Sequence, residues 1–242
     1  MSWGKPQMTG AGMLEIVIDD TVLLVPAYNE GAVIGQVICA ARRVFRWIVC
    51  VDDGSRDDTA EAARAAGAIV LSHPVNVGQG AALQTAIQYS LRLPVTWFCT
   101  FDADGQHRLD DVLAMRDTLS TQGVDMALGS RFLGTPTHMP TAKRWLLKAA
   151  VMFTSLTSGV KLTDAHNGLR MFNRHVAQTI KLQEPGFNHA SELVDKIKIN
   201  GYSFIEVPVT IDYTDYSKAK GQSMLNAVNI ATDTLTSKVL RR

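Results

Sequence analysis

Two carboxylates one residue apart, Asp102 and Asp104 in the stretch WFCTFDADGQH, follow directly on an apolar run. Acids at the exit of a buried segment are costly unless a cation pairs with them. A calcium loop of the EF-hand kind needs a Glu at its twelfth position. Counting from Asp102, that position is Leu113. The chemistry that suits the pair is a divalent ion bridging a nucleotide diphosphate, because Mg²⁺ and Mn²⁺ favour carboxylate oxygen together with phosphate oxygen. A plainer use, capping the helix that starts near Leu109, stands beside it.

The elements that must position these acids alternate. EIVIDDTVLLVPAYNE holds an apolar strand near Val22 to Val25, and Gly31 to Arg43 reads as a helix. RWIVCVDDGS is a second strand. A helix follows over Asp57 to Ala66, with Asp57 or Ser55 as its cap. AIVLS is a third strand, Gly78 to Leu91 a helix, VTWFCTFDADG a fourth strand, Leu109 to Thr121 a helix and DMALGS a fifth strand. Such alternation predicts an α/β fold with a mainly parallel central sheet flanked by helices, whose ligands bind beyond the carboxyl ends of the strands. Asn29-Glu30, Asp52-Asp53, Asp102-Asp104 and Ser130-Arg131 all fall at those ends. In haloacid-dehalogenase-like phosphatases an Asp-x-Asp-Gly-Thr nucleophile follows the first strand. Here DADGQ follows the fourth, with Gln106 in place of Thr.

After Arg131 the pattern changes. Arg144 to Ser158 is apolar with basic residues at its start, and KLTDAHNGLRMFNR mixes Gly, Asn and charges. Asn188 to Asn200 reads as a helix, YSFIEVPVTI as a strand, DYTDYSKAKGQS as polar and mobile, and Gln222 to Leu240 as a terminal helix. The 242 residues suit one α/β domain or one and a half, 46% of them apolar, with a net charge of +1 that draws no nucleic acid. Cys39, Cys50 and Cys99 read as buried free thiols of a reducing compartment. The opening residues form no signal peptide, and no stretch of 18 uninterrupted apolar residues predicts a membrane span. The six histidines show no zinc-ligand spacing.

Taken in order, LLVPAYNE, CVDDGSRDDT, FDADGQH and LGSRF resemble the motifs of the inverting family 2 glycosyltransferases with a GT-A fold. The nearest subgroup is that of dolichol-phosphate mannosyltransferases and polyprenyl-phosphate glycosyltransferases. The resemblance covers about Val22 to Ser223. It implies a loose tail over 1–14 and a single GT-A (nucleotide-diphospho-sugar transferase) domain over 15–242. Within that domain, 15–131 would be the nucleotide-sugar half, and 132–242 the acceptor half with a lid and a C-terminal helix.

The resemblance also implies roles. Pro26, Tyr28 and Glu30 line the nucleotide pocket, and Asp53 reads an imide N–H of uracil or guanine. Asp104 holds Mg²⁺ or Mn²⁺, Asp102 contacts ribose and the metal with Ala103 between them, and Gln106 is a third metal-side ligand. Arg131 lies near the phosphates. Arg144, with Lys143, binds the acceptor's phosphate. Asn167 and Gly168 belong to an acceptor segment in which His166-Asn167-Gly168-Leu169-Arg170 departs from the more usual Ser-Gly-Phe. Glu192 matches an acid that serves hydroxyl acceptors as base, and only orients groups where the acceptor is a phosphate. Lys220, with Lys218 as second choice, closes over the pyrophosphate, Met224 replacing a usual Lys. Gln79 stands where many relatives carry Lys.

The implied activity is transfer of a sugar from a UDP- or GDP-sugar to a polyprenyl phosphate at the cytoplasmic membrane face. A separate integral membrane partner would help, and the stretch Lys143 to Phe153 would meet the lipid. Transfer to a saccharide hydroxyl, and a non-catalytic nucleotide-sugar-binding subunit, are the alternatives.

Overall fold

The computed structural model describes residues 7–8, 14–15, 17–134, 151, 159–165, 167–184, 186 and 189–212. Within the stretch read as a tail, β1 (Gln7–Met8) and β2 (Leu14–Glu15) pair antiparallel. The expected strands and helices follow: β3 (Ile18–Ala27), α1 (Gly31–Arg42), β4 (Phe45–Asp52), α2 (Thr59–Ala65), β5 (Ile69–Ser72), α3 (Gln79–Ser90), β6 (Trp97–Thr100), α4 (Leu109–Gln122) and β7 (Met126–Ser130). Then come β8 (Arg170–Asn173), α5 (Arg174–Thr179), α6 (His189–Asn200) and β9 (Phe204–Pro208).

Seven strands form one sheet in the order β5-β4-β3-β6-β8-β7-β9. All neighbours are parallel except β8, which runs antiparallel to both β6 and β7. Both faces are covered, so β3 reads as an unbroken apolar run rather than an alternation. Val22 and Leu24 face a core shared with α3, α5 and α6, while Leu23 and Val25 face a second core with α1, α2 and α4.

Neither β8 nor α5 was expected. LRMFNR carries two arginines and an asparagine in six residues, which looks like a loop. Each polar group has a structural use instead. Arg170 is buried. Asn173 caps α5 by accepting from the Val176 amide at 2.9 Å. Arg174 donates to the carbonyls of Leu91, Leu93 and Val95, closing the loop before β6. At α2 the cap corrects the expectation: the N-cap residue is Asp58, whose side chain makes no capping bond, while Asp57 ahead of it accepts from the Thr59 amide at 3.1 Å. Ser55 instead accepts from the Asn29 amide at 2.9 Å, tying the ends of β3 and β4 together. Cys50 and Cys99 are buried thiols, and burial pushes Cys50 up to about 12. Cys39 corrects the expectation: it is exposed, one position past the core-facing Ile38 on α1.

Candidate active site

The carboxyl ends of β3, β4, β6 and β7 lie along one rim, and the antiparallel β8 brings its amino end to the same place. Arg170 stands opposite both Thr100 and Leu128. Thr100 Oγ1 seals that junction by donating to the Gly168 carbonyl at 2.5 Å and accepting from the Arg170 amide at 3.1 Å. Asn167 and Gly168 are therefore set beside the acidic stretch that leaves β6.

Asp102 is held on both oxygens. Gln79 Nε2 donates to Oδ1 at 3.2 Å, and His107 Nε2 lies 2.9 Å from Oδ2. A side chain at residue 168 would put its first carbon 2.3 Å from Asp102 Oδ2, so glycine there makes room for the carboxylate. Burial opposes ionisation of Asp102. His107, by charge and hydrogen bond, and then His189 and Arg170, outweigh it and hold the carboxyl below its ordinary value. Arg170 donates to the Ala165 carbonyl at 3.0 Å, and burial brings its guanidinium down to about 10.

Asp104 is in the opposite condition. Burial, then the charge of Asp102 and, more weakly, Glu30, push its carboxyl up to about 6. Gln106 donates to it from its backbone amide at 3.1 Å and its side-chain amide at 2.6 Å, around the turn that Gly105 makes at φ 74°. Ala103 between the acids is buried. Among the described residues no group of three or more His, Cys, Asp or Glu could hold a metal by itself. The fit is to a hard divalent ion that brings phosphate oxygens to complete its shell. Asp104 is short of positive charge, with the charges of Asp102 and Glu30 acting against its ionisation. The Gln106 amide nitrogen is spent on Asp104.

Asp53 is 2% exposed and internally engaged. Its Oδ1 meets His73 Nδ1 at 2.6 Å and the Val77 amide at 3.0 Å, and its Oδ2 takes the Gly78 amide at 2.6 Å. His73 Nε2 in turn lies 3.0 Å from Thr85 Oγ1 on α3. The carboxylate fixes the turn before α3, and the lone pair left on Oδ2 is what it can offer a base. Asp52 accepts from the Ser55 amide at 3.1 Å. Pro26 is buried within β3 opposite Val51, while Tyr28 is 39% exposed at the rim. Glu30 donates its backbone amide to Thr59 Oγ1 at 2.8 Å.

Arg131 donates from Nε to Asp164 Oδ2 at 2.6 Å and from its backbone amide at 3.1 Å. Asp164 is a functional candidate that the reading of the sequence left without a role. It precedes Asn167 in a segment too polar to look ordered. The structure orders it through Glu206, which accepts from the amides of Thr163 and Asp164 at 2.8 and 3.1 Å.

Glu192 lies on α6 with its carboxylate committed to a loop. It accepts from the Gln183 amide at 2.9 Å and from the Glu184 amide at 2.9 Å. Lys196 is 3.8 Å away. Asn167 is 2% exposed, its Oδ1 accepts from the Leu169 amide, and among the described residues its Nδ2 has no hydrogen-bond partner. An open cavity of about 430 Å³, walled by Val33, Val37 and Ala40 of α1 and by Phe101 and Leu109, reaches Asp104. Lys143, Arg144, Lys218, Lys220, the stretch expected to meet lipid apart from Val151, and the expected terminal helix lie outside the described residues. Among the described residues no helix is long and apolar enough to cross a membrane.

Comparison with known proteins places this geometry. Residues 22–181 match the glycosyl transferase family 2 domain. The chain is 35% identical over 230 residues to an uncharacterised protein of Methanocaldococcus jannaschii, covering 93% of this chain and 95% of that one. It is 28% identical to the UDP-N-acetylglucosamine–dolichyl-phosphate N-acetylglucosaminyltransferase of Methanococcus voltae, over 84% of this chain and 90% of that one. With the polyprenol monophosphomannose synthase of Mycolicibacterium smegmatis it shares 29%, over 86% and 84%. Among solved structures it is similar to glucosyl-3-phosphoglycerate synthase of Mycobacterium tuberculosis in complex with Mn²⁺ and UDP-glucose. The TM-score is 0.68 at 20% identity, over 98% of this chain and 85% of that one. At that identity the likeness carries the fold, a GT-A arrangement.

Proposed function

Because the chain belongs to glycosyl transferase family 2, we propose that it transfers a sugar, with inversion, from a UDP- or GDP-sugar to a polyprenyl phosphate at the cytoplasmic membrane face. The observation that carries the reading is the unequal acid pair. Asp102 is kept ionised by its neighbours, while Asp104 sits in surplus negative charge that a cation would relieve. Mg²⁺ or Mn²⁺, held by Asp104 with Asp102 and Gln106, would offset the charge of the diphosphate as it departs.

The remaining work falls to the chain's own groups. Arg131, oriented by Asp164, faces the phosphates with a fixed guanidinium. Pro26, Tyr28, Glu30 and Asp53 form the nucleotide side, and Lys220 closes over the pyrophosphate. Lys143 and Arg144 hold the acceptor phosphate, an Arg fork suiting it bidentately. One acceptor oxygen forms a bond to the anomeric carbon from the face opposite the leaving group. The bond from that carbon to the diphosphate breaks, and the nucleoside diphosphate leaves with the electron pair.

A phosphate acceptor is already ionised and needs no base. The commitment of Glu192 to loop amides supports that acceptor over a saccharide hydroxyl, as do the names of the relatives that act on dolichyl and polyprenyl phosphates. The domain reading, 15–131 for the donor and 132–242 for the acceptor, is part of this proposal, as are membrane-face binding and an integral membrane partner. The test is an incubation with Mn²⁺, UDP-glucose, UDP-N-acetylglucosamine or GDP-mannose, and undecaprenyl or dolichyl phosphate. The expected products are a lipid-linked monophosphosugar and one nucleoside diphosphate per transfer. Transfer to saccharide hydroxyls only, or turnover of no donor, would overturn it.

A further inference from the structure

Gln79, the first residue of α3, stands between two of the rim acids. Asp53 follows β4 and Asp102 follows β6, on either side of β3. The turn into α3 reaches both. The amides of Val77 and Gly78 hold the Asp53 oxygens at 3.0 and 2.6 Å, and Gln79 Nε2 lies 3.2 Å from Asp102 Oδ1.

That turn is pinned at both ends by close packing. A first side-chain carbon at Gly54 would meet the Asn76 amide nitrogen at 2.7 Å, so the chain already fills that place. One at Gly80 would collide with the Glu184 carbonyl oxygen. Between them Gly78 enters the helix at φ 112°, a backbone region that suits glycine. The Gln79 side chain therefore starts from a fixed backbone and reaches a fixed carboxylate.

What it delivers there is a donor without a charge. Among the described residues Gln79 is the one donor to Asp102 Oδ1, while His107 serves Oδ2. The Asp102 side chain keeps 31% of its surface exposed, so a ligand can reach it. An amide orients a carboxylate and leaves its whole charge for a further partner. An ammonium in the same place would orient it and offset it. Resting on the donor reading above, we propose that Gln79 is a positioning residue that aims Asp102 at the donor's ribose and divalent ion without drawing on its charge.

The test moves orientation and charge separately. Wild type, Gln79→Met and Gln79→Lys are titrated with Mn²⁺ in the presence of UDP or GDP, free Mn²⁺ being read by electron paramagnetic resonance. The same proteins are titrated calorimetrically with the bare nucleotide in chelator. Met keeps the length and removes the donor, and Lys keeps a donor and adds a charge. Gln79→Met should weaken Mn²⁺ binding about fivefold, the scale of one net hydrogen bond. Gln79→Lys should weaken it about tenfold, one added cation standing against a divalent ion. In chelator Gln79→Lys should bind the bare nucleotide as well as wild type or better, because its ammonium meets the diphosphate. A merely structural fault would lower both affinities together. Thermal melts confirm folding, and Gln79→Met carries the test if the Lys variant fails to fold. Unchanged Mn²⁺ affinity in either folded variant, or an equal loss on ion and bare nucleotide, overturns the proposal and leaves the donor reading standing. Wild type that binds neither UDP nor GDP with Mn²⁺ sinks the donor reading and this inference with it.

Discussion

Asp104 holds its proton up to about pH 6 in the folded chain, against an ordinary value of 3.8. Across that window the folded state binds more protons than the unfolded one. Stability of the metal-free protein therefore falls as pH rises from about 4 to about 6 and stays low above it. Asp104→Asn removes the buried charge, so its melting temperature in chelator should exceed wild type at about pH 7.5, with the difference vanishing near pH 4. Turnover should drop at least about 100-fold with loss of the metal's anchor. A melting difference that does not change with pH would remove the charge argument, and full activity in excess chelator would remove the metal. Glu192 is tested the same way in reverse. Glu192→Gln keeps an oxygen for the Gln183 and Glu184 amides, so it should cost about 1 kcal/mol of stability and leave transfer to lipid phosphate within a few-fold. A variant that binds donor yet loses nearly all transfer would assign Glu192 a proton and the enzyme a hydroxyl acceptor. The motif acids could be found from the sequence because they come in runs at strand exits. What Asp53, Asp164 and Glu192 do with their oxygens could not, because their partners are backbone amides and side chains 8 to 33 residues away.

At the scale of elements, the parallel half of the sheet was legible because both faces are buried, leaving apolar runs such as VLLV and WIVCV between turn residues. β8 was not, since four residues carry too little periodicity and Arg170 satisfies its charge in the interior. That hidden strand brings residues 167 and 168 against the acidic stretch after β6. It inserts between β6 and β7 and presses Gly168 against Asp102. Gly168→Ala should push the Asp102 carboxylate off its position between Gln79 and His107. Turnover should fall about 10- to 100-fold, as misplacing a reacting geometry by an ångström does. The overpacking should also cost about 1–3 kcal/mol of stability. Kinetics with thermal melts decide it, and wild-type turnover in a folded Gly168→Ala would mean that Asp102 has slack the geometry denies.

For the molecule as a whole, the chain's path after β9 matters most. It returns to the acidic stretch: Ile211 bridges His107, the Asp212 amide donates to the Gln106 carbonyl at 3.0 Å, and Arg108 grips Asp212 at 2.6 and 2.7 Å. Arg108 and Asp212 are exposed, so the pair adds little stability. The backbone contacts beside it fix where the next segment sets out, next to Gln106 and Asp104. The sequence that follows, YTDYSKAKGQS, has two lysines and little apolar content to pack. A diphosphate and its ion would supply the counter-charge for Lys220 in the site the chain has just passed. Lys220→Ala should therefore weaken UDP or GDP binding by about 1–3 kcal/mol, the range for charge-assisted hydrogen bonds, with Lys218→Ala weakening it less. Hydrogen exchange across residues 212–223 should slow on adding nucleoside diphosphate with Mn²⁺ and slow less in the Lys220 variant. Exchange that is unchanged at saturating nucleotide would leave both lysines as ordinary surface charges. The pyrophosphate would then be held from the rim, by Arg131 and the divalent ion that Asp104 would seat.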